Sequence, residues 1–160
     1  MNIKLLNVEM DSNRLPVIVA EKEFDFYKEN VNETSEIVEM INEYFRLDRK
    51  TEEYVYMVSL DTAGHILAVF EVSHGGVDRS YSGTREIFQK ALLSGAVGIV
   101  VLHNHPSGCC DNPSDLDVLI CERIRKAGEL IGVELYDFVI IGSEGTYYSF
   151  SDIYKKTLAS

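Results

Sequence analysis

Residues 97–108 read Val-Gly-Ile-Val-Val-Leu-His-Asn-His-Pro-Ser-Gly. The first six form a short, unbroken apolar run of the kind expected for a strand buried on both faces. The run leads directly into His103 and His105. Side chains alternate along an extended chain, so two residues apart the imidazoles project to the same side. Pro106 and Gly108 then turn the chain. Ser114 starts a predicted helix whose apolar positions include Leu116, Leu119, Ile120, Ile124 and Ala127.

Outward from this stretch, helices and strands mix. Tyr54 to Leu60 is rich in aromatic and β-branched residues, Asp61 to Gly64 reads as a turn, and Ile66 to Val72 completes an antiparallel hairpin. Upstream, Ile37, Val38, Met40, Ile41, Tyr44 and Phe45 fall on one helical face, with Asn32 or Thr34 placed to cap its start. Gly75, Gly76 and Gly83 mark a loop. Thr84 is read as capping a helix to about Ser94, with Ile87, Phe88, Ala91 and Leu92 as its buried stripe. Strands at 133–141 and 146–150 flank the Gly142–Gly145 turn, and a short helix begins at Ser151. Residues 2–9 and 15–20 are two further short strands. These elements predict an α/β sandwich around a mixed sheet, and 160 residues suit one domain that buries roughly 68–70% of its unfolded surface.

Charge narrows the functional classes. The chain has 26 Asp and Glu against 15 Lys and Arg, a net charge of −11. Proteins that grip a duplex neutralise several phosphates with basic side chains. Here only small groups occur, at Arg123, Arg125 and Lys126 and at Lys155 and Lys156, so strong duplex DNA binding is not expected. A peptide or protein substrate is easier to accommodate. Cys109, Cys110 and Cys121 are odd in number and two are adjacent, which argues against a disulfide scaffold. The N-terminus lacks the apolar stretch of a signal peptide, and no run is long enough to span a membrane, so a cytoplasmic protein is expected.

The helix after the turn supplies Asp117, in its first turn and facing back toward the loop. A His, His, Asp set with a position left for water has the composition of a catalytic zinc site; structural sites are usually closed by cysteines. Blander readings stand beside it. The histidines fit ordinary surface polarity at a strand end, and Asp117, three residues after Ser114, fits a helix cap. Cys109 and Cys110 are near enough to serve as thiolate ligands, whereas Cys121, on the apolar side of the helix, reads as core. The literal string His-Asn-His does not indicate an HNH nuclease, whose motif is spread over a ββα unit.

His103-Asn-His105-Pro-Ser-Gly followed by Pro113-Ser114-x-x-Asp117 resembles the JAMM metalloprotease signature in the form carried by RadC-like JAB domain proteins. Glu53 to Asp61 looks like that family's opening strand, Arg85 to Phe88 its helix, and Val139 to Gly142 with Tyr147 to Ser149 its closing strands. The resemblance covers roughly residues 30–150. It implies a JAMM/MPN (cytidine-deaminase-like) sandwich over 31–160, with residues 1–30 as an extension packed on that core. It further implies Zn2+ held by His103, His105 and Asp117, with Ser114 positioning or stabilising the oxyanion. Glu53 would take the proton from the metal's water during cleavage of a peptide or isopeptide bond. Three departures accompany it. Eleven residues (Pro106 to Leu116) separate His105 from Asp117 where the signature has ten, and Asp115 would leave nine. Asp137-Phe138 stands where the family often has Asp-His. The helix-hairpin-helix region of full-length RadC proteins is not read in these residues, so the DNA link it provides is not expected here. Two other roles remain open: an accessory protein of DNA repair acting through partners, as the family label suggests, and a metal-binding interaction module without catalysis.

Overall fold

β5 (Gly98–Asn104) is buried at every residue because strands and helices cover it on all sides. In this computed structural model, which describes residues 1–28, 30–75 and 83–152, the other strands are β1 (Asn2–Met10), β2 (Pro16–Asp25), β3 (Tyr54–Leu60), β4 (Ile66–His74), β6 (Glu134–Ile141) and β7 (Tyr147–Ser149). The helices are α1 (Thr34–Phe45), α2 (Gly83–Ser94) and α3 (Asp115–Ile131). Seven strands form one sheet in the order β2-β1-β4-β3-β5-β6-β7. β5 runs antiparallel to β3 and parallel to β6, so the sheet is mixed, as the sequence predicts.

Alternation along β5 divides the core in two. Val100 and Leu102 join Val58, Val139 and Ile141 against α1, whose Ile37, Val38, Met40 and Ile41 are its buried stripe. Ile99 and Val101 face the other way, with Met57, Phe70 and Ile140, against Ile87, Phe88 and Ala91 of α2 and Cys121 and Ile124 of α3. The result is a three-layer α/β/α sandwich. The N-terminal hairpin joins the same sheet: β1 pairs antiparallel with β2 and parallel with β4 at Leu5–Val69 and Leu6–Phe70. Among the described residues, no helix is long and apolar enough to cross a membrane.

Several local expectations need correction. Leu92 (57% exposed) and Leu119 (53%) lie outside the buried stripes. Each helix meets the sheet along a narrow face, and one residue past Ala91 the side chain has turned about 100° away. Neither Asn32 nor Thr34 caps α1; the N-cap is Glu33, without a side-chain bond. Thr84 lies inside α2, which begins at Gly83, and the residue before that helix is outside the described set. Gly76, Lys155 and Lys156 are also outside it, as is most of the C-terminal helix expected from Ser151.

Thr34 has a different partner. Its hydroxyl donates to Asp137 Oδ2 at 2.6 Å, as does that of Ser149 at 2.6 Å, while the Ser151 N–H reaches Oδ1 at 3.0 Å. Asp137 is buried in β6 and so fastens the start of α1 to the end of β7. Removing a partner inside a buried polar network leaves the remaining groups desolvated and unmatched. Asp137→Ala is therefore expected to cost about 3 kcal/mol, measured by urea denaturation; a loss below about 1 kcal/mol would show that water replaces the carboxylate at no penalty.

Candidate metal centre

His103 follows Ile99 and Val101 on the face of β5 that looks toward α2 and α3. It is buried, its ring lying 5.2 Å from that of Phe138 at a tilt of 44°. Phe138 is where a histidine often stands in the resembled family, so this chain presents an apolar ring there instead. Beyond β5 the main chain stays tied to β6: the His105 N–H donates to Ile141 O at 3.1 Å. The Gly108 N–H then bonds back to His105 O at 2.9 Å, and the Ser143 N–H donates to Gly108 O at 3.0 Å. Gly142 permits this close approach, since a Cβ there would lie 2.7 Å from Gly108 O and 2.9 Å from Cys110 Sγ.

The His105 Nδ1–H is fixed by Cys109 O at 2.9 Å, which leaves the Nε2 lone pair free. Two histidine nitrogens thus converge, His103 Nε2 and His105 Nε2 being 3.2 Å apart. The third group comes from α3. Ser114 caps that helix in a full capping box: its hydroxyl oxygen accepts the Asp117 N–H at 3.2 Å, and its own N–H donates to Asp117 Oδ2 at 2.7 Å. The capping reading of Asp117 is therefore correct, and it does not exclude the other one. Asp117 Oδ1 is 3.0 Å from His103 Nε2, and Oδ2 is 3.4 Å from His105 Nε2. Asp115, at the first helical position, is exposed. Asp117, and not Asp115, is thus the carboxylate beside the two histidines.

These spacings can be tested against a metal. Ligand atoms about 2.0–2.1 Å from a tetrahedral zinc stand about 3.3 Å apart. The two histidine nitrogens, 3.2 Å apart, fit that geometry, and each has one oxygen of the Asp117 carboxylate within 3.0–3.4 Å. Donor chemistry fits as well, because two imidazole nitrogens and a carboxylate otherwise face one another with too few protons. The His103, His105 and Asp117 group could hold a metal ion. Burial pushes the Asp117 carboxyl up, but hydrogen bonds from His103, His105 and Ser114 outweigh it and hold the group well below the usual carboxylate range. Asp117 in turn raises the pKa of His105, against the effect of burial, so a proton and a metal compete for the same place.

Glu53 reaches this site through strand register. β3 pairs with β5 at Val55–His103 and runs antiparallel to it, so the residue opposite His105 is Glu53, on the same face. Glu53 lines one cavity with His103, Asp117, Val55, Ile120 and Phe138. Glu52, one residue earlier, is exposed. The Glu53 carbonyl accepts the Gly75 N–H at 3.0 Å. The cysteines do not enter: Cys109 is exposed and contributes its carbonyl, the Cys110 thiol meets Thr146 Oγ1 at 3.5 Å, and burial pushes the Cys121 thiol up to about 12.

Sequence reading missed Asn104. As the middle residue of His-x-His it carries no assigned role, yet it is buried and bonds the main chain on both sides of Glu53, accepting the Tyr54 N–H at 2.8 Å and donating to Glu52 O at 3.0 Å. The available signal was a polar residue at the end of a strand otherwise buried on both faces.

Comparison with known proteins agrees with this geometry. A profile of the RadC-like JAB domain matches residues 31–156. A "UPF0758 protein" of Geotalea uraniireducens is 36% identical over 124 residues, 78% of this chain and 53% of the relative. Another from Thermotoga maritima is 35% identical over 131 residues, 82% of this chain and 57% of the relative. A third, from Porphyromonas gingivalis, is 38% identical over 101 residues, 63% and 44% of the two chains. The chain spans about half the length of these curated relatives. With the domain profile covering most of the sequence, and with the signature histidines and aspartate drawn together in the structure, the chain belongs to the RadC-like JAB domain family.

Proposed function

We propose that this chain is a zinc-dependent hydrolase of the JAMM type that cleaves a peptide or isopeptide bond. One observation carries the reading: two imidazole nitrogens and a carboxylate lie 3.0–3.4 Å apart, with Glu53 on the same cavity wall. Three protein ligands that leave a position open are the composition of a catalytic zinc site, and the His105 side chain keeps 23% of its surface exposed, which gives solvent a route in.

A zinc ion held by His103, His105 and Asp117 would supply Lewis acidity, polarising the scissile carbonyl and bringing the pKa of water down to about 7. Glu53 accepts a proton from the attacking water. As the carbon–nitrogen bond breaks, Glu53 passes that proton to the leaving nitrogen, and the water's oxygen stays on the acyl carbon. Ser114 donates its hydroxyl to Asp117 Oδ2 at 2.7 Å and so holds the carboxylate; a second role toward the oxyanion follows from the family resemblance. The acidic balance favours a peptide or protein over nucleic acid as substrate. Free thiols at Cys109, Cys110 and Cys121 suit the reducing cytoplasm, where we place the protein.

Metal analysis is the first test. Purified protein should carry close to one zinc per chain; His103→Ala, His105→Ala and Asp117→Ala should each lose it, and Asp115→Ala should keep it. Full occupancy after both histidines are replaced would sink the assignment. Glu53→Gln separates base from ligand. It should retain zinc and fold while hydrolysis of an active peptide substrate falls about 10²–10⁴-fold, with Glu52→Gln close to wild type. Loss of zinc from Glu53→Gln would make Glu53 a ligand. Finally, duplex DNA should bind negligibly at ~150 mM salt; a micromolar dissociation constant in a fluorescence titration would contradict this and favour the DNA-repair alternative.

A further inference from the structure

Asn104 occupies the last position of β5, between the two histidines and on the opposite side of the strand from them. It is 2% exposed, yet its amide joins neither apolar core. Instead it grips the neighbouring chain. Oδ1 accepts the Tyr54 N–H at 2.8 Å, and Nδ2 donates to Glu52 O at 3.0 Å. Those two main-chain groups flank a single residue, Glu53. The register of β3 on β5 sets Tyr54 opposite Asn104, so the side chain supplies the rungs that the ladder would lack at its end. Few side chains offer a donor and an acceptor in one short plane, and the longer glutamine would push the chain away. From the other side Gly75, one residue past β4, donates its N–H to Glu53 O at 3.0 Å.

From this geometry we infer that Asn104 is a positioning residue for Glu53. It fixes the backbone from which the Glu53 carboxylate faces the His103–Asp117 cavity. His103 and Asn104 end one buried strand and His105 follows directly, so the two histidines and the clamp on the base share one short stretch of main chain. A misplacement of about 1 Å at such a site can cost on the order of 10²-fold in rate, so a device that locks the distance has a clear use. The inference rests on Glu53 acting as the base. A merely structural Asn104 would tidy the strand end without influencing what the Glu53 carboxylate meets.

The test uses cobalt(II) loaded in place of zinc, whose visible bands report the ligand geometry and the groups bonded around it. Wild type is compared with Glu53→Gln, Asn104→Ala, Asn104→Asp and the Glu53→Gln/Asn104→Ala double variant. Asn104→Asp keeps the size and the acceptor for Tyr54 while losing the donor to Glu52, and it carries the test if the alanine variant does not fold. The expected result is one cobalt per chain throughout and a band shift in Glu53→Gln. The Asn104 variants should shift the same way, and the double variant should go no further than Glu53→Gln alone. Wild-type bands in the Asn104 variants, or shifts that add in the double variant, overturn the inference while leaving Glu53 as base. Loss of cobalt from the Asn104 variants alone also overturns it, since Asn104 would then shape the ligand strand. Unchanged bands in Glu53→Gln overturn both, because Glu53 would not face the metal at all.

Discussion

A strand covered on both faces leaves its side chains only two directions. That constraint on β5 organises the molecule. Even positions Val100 and Leu102 go to the α1 core, and odd positions Ile99 and Val101 to the α2/α3 core. His103 continues the odd series and so points where α3 begins. Slipping the register by one residue would exchange both apolar cores and turn the histidines away from Asp117, so the burial that stabilises the sheet also enforces the site. The same parity selects Glu53 over Glu52 through the pairing of Val55 with His103.

The group this constraint assembles is electrostatically incomplete by itself. Asp117 is buried, and a buried carboxylate needs compensation. Part of it is local: the Ser114 N–H and hydroxyl both donate to Oδ2, and the positive end of α3 favours an anion in its first turn. The remainder comes from two imidazoles. A proton on His105 or a cation shared among all three would satisfy the same charge, so capping the helix leaves Asp117 able to hold a metal as well. His103 shows the other side of this balance, because its Nδ1 is buried without a partner. Metal-bound histidines usually donate their second nitrogen to an acceptor. No protein group among the described residues takes that role for His103.

Much of this was legible in the chain because it is local and periodic. The buried strand, the His-x-His and the capping serine place Asp117, which the Ser-x-x-Asp pattern prefers to Asp115, and the structure brings Asp117 to the two histidines. The hairpin of β3 and β4 and the stripe of α1 are equally local. What stayed hidden depends on groups distant in sequence. Thr34 looked like a cap, but Asp137, 103 positions away, takes its hydroxyl. Leu92 and Leu119 satisfied helical periodicity, and only the packing of α2 and α3 on the sheet shows that those positions face outward. Asn104 was masked by its neighbours, since the pattern His-x-His treats the middle position as free.

The middle position is not free, for a reason that follows from where the sheet ends. At the last residue of β5 the chain must leave β3 to form the turn held by Ile141 and Gly108, so main-chain rungs between β5 and β3 run out as the chain nears Glu53. An apolar residue at 104 would leave the Tyr54 N–H and the Glu52 carbonyl half-buried and unmatched, a cost of about 1–3 kcal/mol each. A carboxamide satisfies both while the odd-numbered neighbours remain available to a metal. The sequence His-Asn-His thus interleaves two devices: the odd positions carry the histidines that could hold a metal, and the even position bonds the opposing chain on both sides of Glu53.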